Sequence, residues 1–233
     1  MKKMVRMMGI LIVLGLSFST HTTRAEAAIL TPQGRLSYLN AKNFDGALYA
    51  ATYPEVAAYV GTSNSALYKH YVNAGVYEGR VAWSKDPNTN AKLKAHDIAT
   101  TISISSTSDM ERAKAAHDWI VNNCTYDLAG MDMYYPNDHS AVGPLLYGTA
   151  VCEGYAKAYQ LILDELGIPN RRVTGIADGG WHSWSEVCIG GITYAVDVTW
   201  DDPLPDVGGV RSYRYFMITK EQMAMDHVFY EYD

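Results

Sequence analysis

The chain has little of what several protein classes require. Its 233 residues include three cysteines, too few for a disulfide-stapled scaffold, and their spacing fits no zinc pattern. Basic charge is short: 19 Lys and Arg stand against 25 Asp and Glu, a net charge of −6. That argues against a nucleic-acid partner, because a phosphate backbone needs a basic surface. The apolar run at residues 9–18, broken only by Ser17, is too short to span a bilayer. What is present is 48% apolar and 19% charged, an ordinary globular balance that excludes a disordered tail, a fibrous repeat and a polytopic membrane protein. The length allows one medium domain, or one with a small companion. The odd cysteine count is the informative feature, since in an exported protein it points to a thiol kept free.

Export is expected from residues 1–27. Lys2, Lys3 and Arg6 precede the short apolar run, and Ala25-Glu26-Ala27 supplies a small-x-small cleavage pattern that makes Ala28 the first mature residue. No cysteine lies in this segment, so no lipid or other membrane anchor is expected. Its removal takes away four basic side chains and one acidic one, which moves the net charge from −6 to −9. An acidic surface of that kind repels anionic lipid and nucleic acid.

Residues 28–83 read as a small helical module. Ser63 or Thr62 is placed to cap a helix carrying Leu67 and Tyr71, with Gly75 as its left-handed C-cap. The string Tyr53-Pro54-Glu55-Val56 … His70-Tyr71 … Gly75 … Glu78-Gly79-Arg80 resembles a short helical repeat of bacterial secreted and surface proteins. A plain extension packed on the next domain is the alternative. Residues 84–90, with Asp86-Pro87-Asn88, read as a linker to a second domain over residues 91–233.

That domain opens with a helix over residues 91–102. A second follows from the capping box Ser108-Asp109-Met110-Glu111 to about Asn123. Residues 127–147 lack periodicity; in a compact domain such a stretch is usually functional or mobile, and Tyr134, Tyr135 and Pro136 are candidates to line a cleft. Cys152, Tyr155, Ala156, Tyr159, Leu163 and Leu166 then fall on one helical stripe, which Gly167 and Pro169 stop. Strands are expected over residues 171–176, 181–189 and 192–200, the last two joined by a Gly190-Gly191 hairpin turn, with a further strand over 211–218. Helices followed by an antiparallel sheet make an α+β fold.

The hairpin register brings two of these residues together. A Gly190-Gly191 turn pairs Ile189 with Ile192, so His182 and Asp197 become diagonal neighbours on one face. Their Cβ atoms then lie about 7 Å apart, a gap that a His and an Asp can bridge with a hydrogen bond. The carboxylate would fix the imidazole tautomer and stabilise its charged form. Cys152 stands at the first turn of its helix, where unpaired N–H groups and the dipole favour a thiolate. Its own backbone N–H is a candidate donor to an oxyanion. The three residues offer a nucleophile, a base and an orienter, in the order Cys, His, Asp. No cofactor and no metal are expected; Asp201 and Asp202 read as the end of a strand.

At these positions the chain resembles the transglutaminase-like superfamily of cysteine enzymes. The matching strings are Gly148-Thr149-Ala150-Val151-Cys152-Glu153-Gly154-Tyr155-Ala156, Trp181-His182-Ser183-Trp184 and Val196-Asp197-Val198-Thr199-Trp200-Asp201-Asp202-Pro203. The resemblance covers roughly residues 90–203. It implies a papain-like core with a helical lead-in and a Cys152–His182–Asp197 triad. It also implies thiolate attack on a carboxamide or peptide carbonyl, giving a thioester that an amine or water resolves. Tyr126 and Trp181 are candidates for the second oxyanion donor. A protein or peptide substrate, and a cell-wall or surface component as partner, go with that reading. A non-catalytic surface or wall-associated binding module on the same fold is the alternative. Cys124 and Cys188 either pair as a disulfide or remain as two buried thiols, and His70, His96, His117, His139 and His227 show no ligand spacing and read as incidental.

Overall fold

The computed structural model describes residues 32–129, 134–204 and 212–232; the expected leader lies outside the described residues. A 3-10 turn at Pro32–Ser37 leads into three short helices, α1 (Gly46–Thr52), α2 (Pro54–Val60) and α3 (Asn64–His70). Each start has a local cause. The Asp45 carboxylate accepts from the Leu48 N–H, Pro54 opens α2, and the Ser63 hydroxyl accepts from the Ala66 N–H. Gly75 is not the left-handed cap expected of it. It ends a π-helical turn, Tyr71–Gly75, and the positive φ of 74° falls on Gly79. Glycine serves position 75 by its size: a Cβ there would stand 2.4 Å from the Tyr49 hydroxyl. Phe44, Tyr49, Leu67 and Tyr71 form a small separate core, which Leu93 of the next helix enters.

That helix, α4 (Pro87–Ser105), begins one turn before the expected Ala91. The Asp86 carboxylate accepts from the Asn88 and Thr89 N–H groups, and Pro87 suits a first turn. The segment 84–90 is therefore a cap and a helix start and not a plain linker. The helical module is tied to the second domain by an Arg35–Asp97 ion pair and by Glu165, which bonds both Tyr38 and His96.

Helix α5 (Asp109–Asn123) opens on the Ser108/Glu111 capping box. Strand β1 (Thr125–Tyr126) then pairs in parallel with β2 (Thr149–Ala150). Helix α6 (Cys152–Glu165) buries Tyr155, Ala156, Tyr159, Ile162 and Leu163, the stripe read from spacing. It packs in one core with α4, α5 and one face of the sheet, through Val187 and Val196. Truncating a fully buried leucine such as Leu163 to Ala costs about 2–5 kcal/mol.

Strands β3 (Asn170–Ala177), β4 (Gly180–Ile189), β5 (Ile192–Val196) and β6 (His227–Tyr232) form an antiparallel sheet in the order β5-β4-β3-β6. The hairpin register is the expected one, Ile189 opposite Ile192, with Gly190 and Gly191 at φ 61° and 81°. Helices on an antiparallel sheet make the fold α+β. Three features depart from the sequence reading. Strand β5 stops at Val196, and residues 197–200 curl into a turn. Residues 212–218 bridge β5 only at Ala195–Ile218, because the Asp201 carboxylate takes the Tyr215 N–H and Met217 turns to φ 54°; residue 211 lies outside the described residues. Strand β6 was not expected. A β-bulge at Thr174/Gly175 admits it: a Cβ on Gly175 would stand 1.9 Å from the Val228 carbonyl and 2.6 Å from the Trp184 ring. The second sheet face is covered too, with Trp184, Val173 and Ala195 packed against Tyr215 and Met223, the last in the short helix α7 (Lys220–Met223).

Candidate active site

Cys152 is the first residue of α6. The preceding Val151 has no side-chain oxygen and makes no cap, so the first N–H groups of the helix are left to other partners. The turn is seated by the Val151 N–H, which donates to the Asp138 carbonyl at 3.2 Å, and by Gly154, where a Cβ would meet that same oxygen at 2.3 Å. Glu153 points sideways to Lys157 Nζ at 2.6 Å and His139 Nδ1 at 3.0 Å. Its charge is thereby tied to neighbours beside the thiol.

His182, on β4, is opposite Gly175 of β3. Its Nε2 donates to Asp197 Oδ2 at 2.7 Å. Its side chain is also hydrogen-bonded to the Cys152 thiol; with Nε2 engaged by Asp197, Nδ1 is the nitrogen left for the sulfur. Asp197 is fully buried, and the turn that ends β5 holds it. Asp197 Oδ1 accepts from the Thr199 N–H at 3.0 Å and the Trp200 N–H at 3.2 Å. The sequence reading runs the strand on to Trp200; the structure ends it at Val196, and the expected bond between His182 and Asp197 forms from the turn.

The electrostatics follow from this packing. Burial opposes a charge on His182, but the facing Asp197 carboxylate and the hydrogen bonds to Asp197 and Cys152 outweigh it, raising the imidazole to about 10. Burial likewise opposes the Asp197 charge; the positive His182 and the N–H bonds from His182 and His227 override it and hold the carboxyl well below its usual range. The arrangement can take the thiol proton onto Nδ1 and keep the resulting imidazolium stable.

The cleft has two lobes. One, of about 500 Å³, is walled by Tyr126, Leu128, Trp181, Trp200 and Leu204. The other, of about 400 Å³, is walled by His139, Cys152, Glu153, Arg172 and Glu231. Trp181 and His182 border both lobes, so the imidazole sits at the waist. Of the two side chains considered as oxyanion donors, Tyr126 is the one on the nucleophile: its hydroxyl oxygen accepts from the Cys152 backbone N–H, and burial pushes its phenol up to about 12. Trp181 lies 73% exposed along the cleft with its ring against Tyr230. Tyr134 reaches the rim through His139, on which it stacks at 4.6 Å.

His227 is the residue that sequence reasoning missed. It is not incidental but buried, with Nε2 3.1 Å from Asp197 Oδ2 and Nδ1 2.7 Å from Asp226 Oδ1. The signal in the sequence is for the strand and not for the contact: Val228, Phe229, Tyr230 and Tyr232 are β-branched and aromatic residues that favour a strand. The nearest atoms of His182, Asp197 and His227 lie within 4.8 Å of one another. Both Nε2 atoms lie at hydrogen-bond distance from Asp197 Oδ2, 2.7 Å for His182 and 3.1 Å for His227, which accounts for that spacing. His117 and His96 are also engaged, with Asp201 and Glu165 respectively. Asp201 and Asp202 do more than end a strand. Asp202 accepts from the Tyr155 hydroxyl at 2.5 Å, and both brace the turn that carries Asp197. The three cysteines are free thiols; Cys124 is buried and Cys188 half-buried in a separate cavity beside Pro169 and Thr193.

The family likeness falls on this same region. Residues 96–200 match the family profile described as the transglutaminase-like superfamily. Among solved structures, one described as a TGase is 17% identical, with 66% of this chain and 42% of that chain covered and a TM-score of 0.45. A candidate cysteine protease from Cytophaga hutchinsonii is 21% identical, over 63% of this chain and 50% of that one, with a TM-score of 0.40. The chain thus spans half or less of the length of either. No curated protein matches it. The matched segment runs from within α4 to the turn after β5 and contains Cys152, His182 and Asp197; over these residues the chain is similar to the transglutaminase-like superfamily.

Proposed function

We propose that the protein is a cysteine-dependent acyl transferase or hydrolase acting on protein or peptide amides. The observation that carries this reading is the chain of contacts from the Cys152 thiol through His182 to the buried Asp197 carboxylate, open to a cleft at the thiol end. His182 Nδ1 takes the proton from Sγ, and the thiolate attacks the amide carbonyl carbon. The C=O electron pair moves onto oxygen, where the Tyr126 O–H donates, together with the Cys152 N–H once it releases the Tyr126 oxygen. Collapse expels the amine, which leaves with the proton from Nδ1, and a thioester remains on Cys152. An incoming amine or water then gives its proton to Nδ1 and attacks the thioester carbonyl. The thiolate leaves, and a new amide or a free acid is released. Throughout, Asp197 holds Nε2–H and balances the charge.

The leader pattern at residues 1–27 supports a site of action outside the cytoplasm, on a protein or cell-surface substrate. The test is incubation with a glutamine-containing peptide and a primary amine, read by mass spectrometry. Incorporation of the amine, a gain of about 1 Da or peptide cleavage identifies transfer, deamidation or proteolysis, and each should vanish in Cys152→Ala. If none occurs, or if Cys152→Ala is as active as the parent, the proposal fails. Binding of a surface partner that survives Cys152→Ala, with no turnover, would instead identify a binding module.

A further inference from the structure

We propose that His227 is a positioning residue for this site: it fixes the Asp197 carboxylate from behind and shares it with His182, setting how strongly the catalytic imidazole holds its proton. The proposal rests on the enzymatic reading above. Asp197 has no lone pair left to chance. Oδ1 accepts two backbone N–H groups of its own turn, and Oδ2 accepts from His182 at 2.7 Å and from His227 at 3.1 Å. A carboxylate held by four donors cannot rotate away from Nε2 of His182.

His227 is itself fixed. Its Nδ1 meets Asp226 Oδ1 at 2.7 Å, and the Tyr215 hydroxyl donates to Asp226 Oδ2 at 2.7 Å. The Trp184 ring meets His227 edge-on at 4.8 Å, and the Trp200 ring lies 4.5 Å away. Strand β6 therefore serves the site from behind as well as at the cleft wall, where it contributes Glu231. It delivers a second imidazole to the far side of the carboxylate, and the absence of a Cβ at Gly175 lets the next carbonyl of the strand, Val228, approach β3.

Sharing has a definite sign. A second N–H on Oδ2 withdraws part of the carboxylate charge from His182. Removing that donor leaves Asp197 more basic toward His182, so His182 should hold its proton to higher pH. Of the other groups around the pair, Cys152 and Tyr126 across the cleft keep their contacts. Asp226 loses its bond to Nδ1, keeps the Tyr215 hydroxyl and nearby Arg214, and as an uncovered carboxylate acts on His182 in the same upward direction.

The experiment compares His227→Phe with His227→Gln, whose side-chain amide can still donate to Asp197. For His227→Phe we expect kcat to fall by about 10- to 100-fold, the scale seen when an outer-shell partner of a metal ligand is removed. KM should change less than twofold, and the alkaline limb of kcat/KM should move up by about half a pH unit or more. Gln should restore most of kcat and return the limb toward its original position. An NMR titration of the His182 ring in both variants reads the same shift without any turnover, so it stands even if the protein is not an enzyme. Loss of activity in Cys152→Ala separately checks the enzymatic reading. The proposal is overturned if the His182 titration and the alkaline limb stay put in His227→Phe, or if Gln behaves as Phe does while both variants remain folded.

Discussion

His182 and His117 are both buried and each faces a buried aspartate, but of these two only His182 also faces a thiol. His182 Nε2 is 2.7 Å from Asp197, and His117 Nε2 is 3.2 Å from Asp201. In both pairs burial opposes the imidazolium, and the facing carboxylates raise its affinity for the proton regardless. They differ at the second nitrogen. His117 Nδ1 is occupied by Asp118 at 3.1 Å, and the ring is sealed between Tyr213 and Phe216. In His182 the second nitrogen looks across at Cys152, at the waist of a cleft. A His–Asp pair is thus a common structural unit. A free second nitrogen, a nucleophile and access are what turn it into a proton shuttle.

The largest effect that would break this comparison comes from the carboxylates. Asp197→Asn should leave the fold intact and lower kcat by about 10⁴-fold, because the amide favours the wrong imidazole tautomer; steady-state kinetics beside a melting curve would show it. His117→Gln should do the reverse. It takes away the positive charge that faces Asp201 and Asp118 and should cost about 3–5 kcal/mol of stability, with turnover per folded molecule within a few-fold of the parent. Should His117→Gln abolish turnover in the folded protein, the two pairs are not functionally distinct. A smaller loss, about 10²-fold in kcat with KM little changed, is expected for Tyr126→Phe if the phenol donates to the oxyanion.

The pH dependence sharpens the contrast further. The folded-state affinity of His117 for its proton is above that of the unfolded chain, so its contribution to stability is fully present below the ordinary imidazole value of about 6.5. That contribution fades as pH rises toward the folded value. The melting temperature gap between the parent and His117→Gln should therefore be widest in mild acid and narrow at alkaline pH. The smallest effect concerns Cys124 and Cys188. Both are free thiols, so adding a reductant should leave the melting temperature unchanged.

The local part of this architecture is legible in the sequence. The Ser108 capping box, the α6 stripe and the Gly190-Gly191 register are short-range patterns, and the same register brings His182 close to Asp197. The contacts that finish the site are not short-range. His227 reaches Asp197 across 30 residues and His117 reaches Asp201 across 84. A single histidine carries no mark of a partner that distant. The end of β5 at Val196 depends on Asp197 bonding the amides of its own turn, a choice between side chain and ladder that alternation does not encode. Gly175 shows the same limit from the other direction, because its small size is explained only by a strand far downstream, at Val228.

The most direct measurement of the central claim is competitive alkylation of the native protein with limiting iodoacetamide, followed by peptide mapping of Cys152 and Cys188. Both are half-buried free thiols, but only Cys152 stands at a helix start against an imidazole. The account predicts that Cys152 is modified at least about tenfold faster at neutral pH, and that this advantage falls in Asp197→Asn. Equal rates at the two cysteines, or an advantage unaffected by Asp197→Asn, would contradict it.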